Sequence, residues 1–285
     1  MNFRVLPSQL HSTAEEVVRF FADDRGISRF KVEAPVSNDL DYRPTLQATA
    51  PEYYDFWIEV SEAPYLLSLD GVVLHCMTRC LPVKLYVAFP AGTSPTEYKK
   101  CADEARTKGV GLLEVSLGKC MVVHEALLLS LLGARSEDRS QFPPRYRSVL
   151  STAETTFRNG DPAKGCSLVY DEIEALSRRL AGKILKNNWW THLSGGSPTF
   201  NADKDPWASV LDILISRANF NALPPAAKKS LLMRVAALTD VRNDAGHKPK
   251  NRAARMKRDR ELRTRFESAI DLLRDFVNAL RPLRL

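Results

Sequence analysis

The spacing of apolar residues differs between the two halves of the chain. In residues 1–120, short apolar runs alternate with turn-forming residues, and this pattern predicts strands mixed with helices. Helices are predicted at Thr13–Asp23 and at about Pro95–Lys108, with Gly109 placed to end the second. The strand–helix–strand order implies a parallel pair of strands covered by helices. The predicted strands are Arg29–Val36, Arg43–Ala48, Asp55–Val60, Val83–Phe89 and Val110–Ser116.

The second half has a helical period throughout. Asp161 and Pro162 suit an N-cap and a first helical turn, and apolar residues then recur every three or four positions up to Ile184. Further helices are predicted at about Asp205–Phe220, from Pro224-Pro225 to Val241, and at about Arg260–Leu280. The pattern predicts a compact array of four helices.

The change of period predicts two domains. A buried helix at Leu127–Leu132 is expected to close the first domain. Residues 133–149 are polar and charged, carry Pro143-Pro144, and have the composition of a linker. The expected organisation is a mixed α/β domain at 1–132, a linker at 133–149 and an all-α domain at 150–285.

Composition limits the class of protein. No apolar run is long enough for a signal peptide or a membrane span, so we expect a cytoplasmic protein without a membrane partner. The five cysteines are scattered without CxxC spacing, which argues against a zinc site or a disulfide framework. No metal site and no cofactor is predicted.

The positive charge is concentrated in the second half. Residues 1–150 hold 17 Lys and Arg against 19 Asp and Glu, whereas residues 151–285 hold 24 against 15. This asymmetry favours a polyanionic partner for the second half, although a solvated basic face would have the same composition. The candidate phosphate-binding residues lie in a basic tract: Lys248, Lys250, Arg252 and Arg255.

A short motif, Arg242-Asn243 followed by His247, precedes this tract. The planar guanidinium of arginine suits phosphate, and histidine exchanges protons near neutral pH. On an unbroken helix, five residues would turn the two side chains about 140° apart. The pair therefore converges only if the chain bends, for which Gly246 is available, or if two copies meet. The alternative is structural: Arg242 pairs with a neighbouring aspartate and His247 caps a helix.

An all-helical domain with Arg242, Asn243 and His247 at this spacing resembles the HEPN superfamily. The opening of its first long helix at Gly160-Asp161-Pro162, with Tyr170 further along, is also similar. The resemblance covers roughly residues 150–285. It implies a metal-independent endoribonuclease, usually a homodimer with a composite cleft, of a kind frequent in antiphage defence and toxin systems.

The first half resembles the restriction-endonuclease-like fold in its order of helix, three strands, helix, strand, helix and strand. Tyr42–Ala48 and Phe56–Ser61 are similar to the active-site hairpin of that family. Thr45 stands where the family has a metal-binding aspartate, Ser61 stands in place of its lysine, and Glu59 remains. The resemblance therefore implies a degenerate nuclease domain that senses an unknown ligand or trigger, or serves as a scaffold.

Asp41 and Lys84 are the neighbouring candidates to replace the missing nuclease residues around Glu59. The leading hypothesis is an endoribonuclease with RNA as its partner, in which His247 is the acid–base and Arg242 the phosphate stabiliser. A non-catalytic, antitoxin-like module that binds RNA or protein is the alternative. A metal-dependent DNase that uses Glu59 is a third hypothesis.

Overall fold

The computed structural model divides the chain into two compact units, each built from several segments of the sequence. It describes the chain apart from residues 1–2, 4, 38, 65, 93–94, 134–137, 192–199 and 245–248, and gives only the backbone at 67, 95–97 and 239–244. The first unit comprises Met1–Gly133, Arg158–Gly160 and Lys248–Glu261. The second comprises Ala134–Phe157, Asp161–His247 and Leu262–Leu285.

This division corrects the predicted domain boundaries. Helix α5, Pro144–Arg158, begins inside the predicted linker 133–149, with Pro144 in its first turn, where a missing N–H costs nothing. Residues Lys248–Glu261, predicted to belong to the second domain, are part of the first unit. Periodicity predicts that a segment is helical, but it does not say which neighbours the helix will pack against.

The first unit contains a mixed six-stranded sheet, with its strands in the order β1 to β6 among the described residues. Strands β3, β4 and β5 are parallel, while β2 and β6 are antiparallel to their neighbours. The strands are Lys31–Val32 (β1), Leu46–Thr49 (β2), Asp55–Val60 (β3), Val83–Pro90 (β4), Gly111–Ser116 (β5) and Lys119–His124 (β6).

Helices cover both faces of this sheet. Helix α1, His11–Arg25, packs Phe21 against Phe56 and Tyr86 on one face. The other face, with Trp57 and Leu85, packs against three further helices of the unit. These are α2 (Asp70–Arg79), α3 (Pro95–Lys108) and α4 (Leu129–Leu132). Successive strand residues point to opposite faces, so each position along a strand is assigned to one side.

The second unit is helical in its described residues. Its helices are α5, α6 (Pro162–Asn187), α7 (Trp207–Arg217), α8 (Lys229–Asp244) and the part of α9 (Arg252–Leu280) from Leu262 onward. Asp161 caps α6, as predicted, by accepting a 3.1 Å hydrogen bond from the backbone N–H of Lys164. The rings of Phe157 and Phe266 stack at 4.3 Å in the core of this unit.

The sequence predictions were most accurate for elements with strong local signals. Asp55–Val60 and Pro95–Lys108 have the predicted bounds, and Gly109 follows α3 with a φ of +68°. The predicted strand at Arg29–Val36 was too long, because only Lys31–Val32 pairs with β2. The edge strand Lys119–His124 was not predicted, because its apolar residues from Cys120 to Val123 follow one another without alternating with polar ones.

Candidate functional site

Helix α8 carries the first two residues of the predicted catalytic motif. Its apolar residues Leu231, Leu232 and Val235 are buried in the second unit. The last turn of α8 contains Arg242 and Asn243, whose backbone is described but whose side chains are not. His247 and Lys248 lie outside the described residues. The structure therefore gives the helical setting of the motif, while the convergence of its side chains remains a prediction.

The basic tract after the motif is not a uniformly exposed surface. Lys250 is exposed, as expected of a phosphate-binding residue. Arg252 instead forms a 2.8 Å ion pair with Oδ2 of Asp55, a carboxylate at the start of β3 that is only 2% exposed. Arg255 is 6% exposed. Arg255 is therefore not available to bind a substrate. Arg252 keeps 43% of its side chain exposed while it is paired with Asp55, so its predicted contact with a substrate stays a prediction.

The contacts of Arg255 form a buried network. Its Nε donates a 2.8 Å hydrogen bond to Asp259, and the Ser130 hydroxyl donates to the same carboxylate at 2.7 Å. Both Asp259 and Ser130 have no exposed surface. Burying a charge is costly unless it is paired and hydrogen-bonded, so this network stabilises the first unit only while all three partners are present.

Burial also shifts the titration of these two aspartates. It raises the pKa of Asp55, and the charge of Arg252 and the Thr49 hydrogen bond only partly oppose the shift. It likewise raises the pKa of Asp259 against the opposing charge of Arg255. Neither carboxylate was predicted from the sequence. Asp55 begins a strand that is apolar at most positions, and this indicated a buried acid. A buried acid requires a partner, so the position of Asp55 was a signal for an ion pair.

The structure brings two of the residues at the nuclease-like hairpin together. Thr45 Oγ1 donates a 2.9 Å hydrogen bond to Oε2 of Glu59, and it accepts one from the backbone N–H of Val60 at 3.1 Å. Tyr42 lies beside them, and burial together with the charge of Glu59 raises its pKa. Thr45 thus binds the Glu59 carboxylate directly.

The other two residues proposed for this site do not join Glu59. Lys84 is paired with Phe56 in the sheet, three positions from Glu59, so the two side chains project from opposite faces. The prediction that Lys84 replaces the nuclease lysine is therefore wrong. Asp41 is exposed in the segment before β2.

Lys84 belongs to a polar cluster that the sequence did not predict. Its Nζ donates to Oε1 of Glu125 at 3.3 Å, and the Tyr86 hydroxyl donates to the same oxygen at 2.7 Å. Arg25, the last residue of α1, donates to Oε2 of Glu125 at 2.9 Å. The ring of Tyr54 lies 5.9 Å from Lys84 Nζ, within cation–π range. These residues are far apart in sequence, so no local pattern identifies the cluster.

The contacts within the cluster shift the pKa values of Glu125 and Lys84. Burial acts to raise the pKa of Glu125, but the Tyr86 hydrogen bond and the charges of Lys84 and Arg25 outweigh it, so the pKa is lowered. Burial lowers the pKa of Lys84, against the opposing influence of Glu125. The cluster stabilises an ionised carboxylate between two cations and joins the end of α1 to the sheet.

A cavity of about 540 Å³ lies at the carboxyl ends of β4 and β5. Ser12, Thr13 and Glu16 of α1 line one side, and Pro90 and Val115 belong to the strand ends. Ligands of open α/β sheets commonly bind outside the carboxyl ends of the strands. This cavity is therefore a candidate ligand site of the first unit.

Comparison with known protein families, curated proteins and solved structures gives no significant match for this chain. None of the described helices combines the length and the apolar character needed to cross a membrane. The chemistry of the described residues and the sequence motif from Arg242 to His247 are thus the basis for any functional assignment.

Proposed function

We propose that the chain is a metal-independent endoribonuclease of the HEPN type, with catalytic residues in the second unit and a regulatory first unit. The observation that carries the proposal is the position of Arg242 and Asn243 in the last turn of α8, in an all-helical setting. Gly246 and His247 follow within four residues of Asn243. The motif requires that the chain leave the helix before His247, because an unbroken helix would turn the Arg242 and His247 side chains about 140° apart.

The proposed reaction uses the RNA 2′-hydroxyl as nucleophile. His247 exchanges the protons: one leaves the 2′-hydroxyl as its oxygen attacks phosphorus, and one reaches the 5′-oxygen as the P–O5′ bond breaks. Arg242 stabilises the negative charge that develops on the non-bridging oxygens, and Asn243 orients the phosphate or the histidine. The products are a 2′,3′-cyclic phosphate and a 5′-hydroxyl, and the exposed Lys250 is the proposed contact to the RNA backbone.

The proposed role of the first unit is sensing or scaffolding by a degenerate restriction-endonuclease-like domain. Its strand order, with an antiparallel β2 and parallel β3 to β5, supports that resemblance. The hydrogen bond between Thr45 and Glu59 supports a non-catalytic role, because it occupies an oxygen that a nuclease would direct at a metal ion. The cavity beside Ser12 and Glu16 is the proposed place for a ligand or trigger.

The central experiment is RNA cleavage in the presence of EDTA. Purified protein is incubated with total RNA, and products are tested for cyclic phosphate ends. We expect cleavage by the wild type, loss of cleavage in His247→Ala, and unchanged cleavage in His75→Ala, a control histidine in α2. Intact RNA with the wild type, alone and after addition of cell lysate as a source of trigger, would contradict the proposal. Retention of RNA without products would support the antitoxin-like binding module instead.

The resemblance also leads us to propose a homodimer with a composite cleft. Complementation tests this arrangement, because Arg242→Ala and His247→Ala each leave one catalytic group intact. If the arginine of one copy meets the histidine of the other, co-expression of the two inactive variants restores part of the cleavage. If the site lies within one chain, the mixture stays inactive.

A role in antiphage defence or as a toxin follows from the same proposal. Expression of an active ribonuclease in a bacterial host would slow growth, whereas the His247→Ala variant at equal expression would not. Equal growth of the two strains under phage challenge and at high expression would argue against this role.

A further inference from the structure

Another cavity of the first unit lies beside strands β1 and β2. Its volume is about 250 Å³, and none of the described residues that line it is acidic. Pockets for drug-sized molecules usually measure about 300–1,000 Å³, so this cavity has the size for a small ligand or for one group of a longer molecule. The lining residues are Arg29, Phe30, Lys31, Gln47, Ala48 and Thr49.

The cavity lies where the pairing of β1 with β2 ends. Lys31 is paired with Gln47 at the end of this short ladder. Two positions further along each segment, Arg29 and Thr49 would form the next pair on the same face, but the ladder does not include them. One side of β2 is therefore left without a paired strand at Thr49.

This open side of β2 presents a backbone donor. The Ala50 N–H donates a 2.8 Å hydrogen bond to the carbonyl of Tyr54, on the side of β3. Backbone N–H groups of an antiparallel strand alternate between its two sides, so the Thr49 N–H points away from β3. No described residue is paired with Thr49 on that side. The N–H is therefore available to a ligand in the cavity.

Two cationic side chains lie beside this donor. Arg29 and Lys31 are exposed, and neither forms an ion pair at contact distance with another described residue. The side chain of Gln47 is next to that of Lys31, because the two residues are paired across the strands. Arginine binds an anion through its planar fork and lysine binds it as a point charge. The cavity thus combines several donors and suits an anion.

The buried carboxylate of Asp55 does not cancel these charges. Asp55 is already paired with Arg252 at 2.8 Å, and it accepts a 2.8 Å hydrogen bond from the Thr49 hydroxyl. The hydroxyl of Thr49 is therefore occupied, while its N–H is not. Since Arg252 supplies one positive charge for the one negative charge of Asp55, Arg29 and Lys31 remain as two additional positive charges at the cavity.

We propose that the first unit binds a phosphate group in this cavity. The Arg29 guanidinium and the Lys31 ammonium contact its oxygens, and the Thr49 N–H and the Gln47 amide donate to the same group. A phosphate group offers three or more acceptor oxygens, which suits donors from several residues. The group belongs to a nucleic-acid backbone or to a small phosphorylated molecule, and both sources share this chemistry. This binding function is separate from the proposed cleavage of RNA.

The test follows the backbone amides of Lys31 and Thr49 by NMR while a probe is added to the full-length protein. The probes are inorganic phosphate, adenosine 5′-monophosphate and a single-stranded 2′-O-methyl RNA, which lacks the attacking hydroxyl and so cannot be cleaved. The double variant Arg29→Gln with Lys31→Gln removes both cations. The matched control, Arg79→Gln with Lys100→Gln, removes the same two residue types from exposed positions of α2 and α3.

We expect at least one probe to shift the amide resonances of both Lys31 and Thr49. The double variant should weaken that binding about 10-fold or more, because it loses two charge-assisted contacts. The control variant should bind like the wild type. Tighter binding of the RNA than of both small probes would identify a nucleic-acid backbone as the source, whereas equal or tighter binding of a small probe would identify a small phosphorylated molecule.

Two results would overturn the phosphate site. One is an absence of shifts at Lys31 and Thr49 with all three probes. The other is an equal loss of affinity in the control variant, because the attraction would then come from the total charge and not from the cavity. Arg29 and Lys31 are exposed, so the double variant should fold like the wild type, and thermal unfolding checks this. Since no readout depends on cleavage, failure of the ribonuclease proposal would leave this test intact.

Discussion

The Thr45 hydroxyl is hydrogen-bonded to Glu59 and to the backbone N–H of Val60, at 2.9 and 3.1 Å. The pairing of β2 with β3 ends at Leu46 and Ile58, so no residue of β2 is paired with Val60. The Thr45 hydroxyl accepts the hydrogen bond of the buried Val60 N–H instead. The Thr45 side chain therefore takes part in the hydrogen bonding of the sheet.

Replacing Thr45 by Val tests this role. The variant keeps the shape of the side chain but leaves the Val60 N–H without its acceptor, and such a loss costs about 1–3 kcal/mol of unfolding free energy. Urea denaturation measures the loss. Thr45→Ser, which keeps the hydroxyl, is the control and should lose clearly less, so equal losses in both variants would contradict the interpretation.

Gly165 lies where α6 passes close to α5. A Cβ at this position would lie 2.7 Å from the Cβ of Phe157 and 2.9 Å from the Ala153 carbonyl oxygen. Gly165→Ala is therefore expected to destabilise the protein by about 1–3 kcal/mol, as overpacking does in other cores.

Gly182 provides a matched control in the same helix. No atom lies within 4 Å of a Cβ built at Gly182, so Gly182→Ala should instead stabilise the helix by up to about 1 kcal/mol. Thermal or urea denaturation of the two variants should give opposite signs. A gain of stability in Gly165→Ala would show that α5 and α6 are not in this close contact.

The Glu125 cluster predicts a dependence of stability on pH. The folded-state pKa of Glu125 is lowered from an ordinary value of 4.5, so its stabilisation is present above 4.5 and is lost as the pH falls through the lowered pKa. Urea denaturation at several pH values between 7 and 3 measures this loss. In Glu125→Gln the difference from the wild type should be largest near neutral pH and shrink below 4.5. A constant difference across this range would contradict the prediction.

The buried pair of Arg255 and Asp259 predicts strong coupling. Asp259→Asn leaves the Arg255 charge buried without its carboxylate, and breaking such a pair typically costs about 3–5 kcal/mol. The double variant Arg255→Met with Asp259→Asn should lose less than the sum of the single variants. A double-mutant cycle in urea measures the coupling, and additive losses would show that the two side chains do not interact.

The chemistry of the proposed ribonuclease predicts that Arg242 cannot be replaced by lysine. Lysine keeps the charge but not the planar fork, so Arg242→Lys is expected to lower kcat about 100-fold or more. Arg234→Lys is the control on the same helix, since Arg234 forms an exposed 2.8 Å pair with Asp275. Single-turnover RNA cleavage measures the rates of the two variants. Equal rates for Arg242→Lys and Arg234→Lys would show that the guanidinium of Arg242 has no part in the reaction.

Local sequence patterns predicted a large part of the fold. Strand β3 and helix α3 were predicted with their observed bounds, and Asp161 with Pro162 correctly marked the start of α6. A helix was predicted to run to Val241, and Arg242 and Asn243 lie just beyond, in the last turn of α8. These features depend on residues a few positions apart, so turn chemistry, capping and periodicity are sufficient to identify them.

Only the tertiary structure determined which charged side chains are paired inside the protein. Arg252 appeared as one more residue of a basic tract, yet it pairs with Asp55, almost 200 residues away in sequence. Lys84 and Glu59 lie on the neighbouring strands β4 and β3, but the pleat of the sheet places their side chains on opposite faces. Burial is a property of packing between distant segments, and it determines whether a charge is solvated, paired or available for a ligand. For this reason the sequence identified the candidate motif, while only the structure identified Asp55 as the buried partner of Arg252.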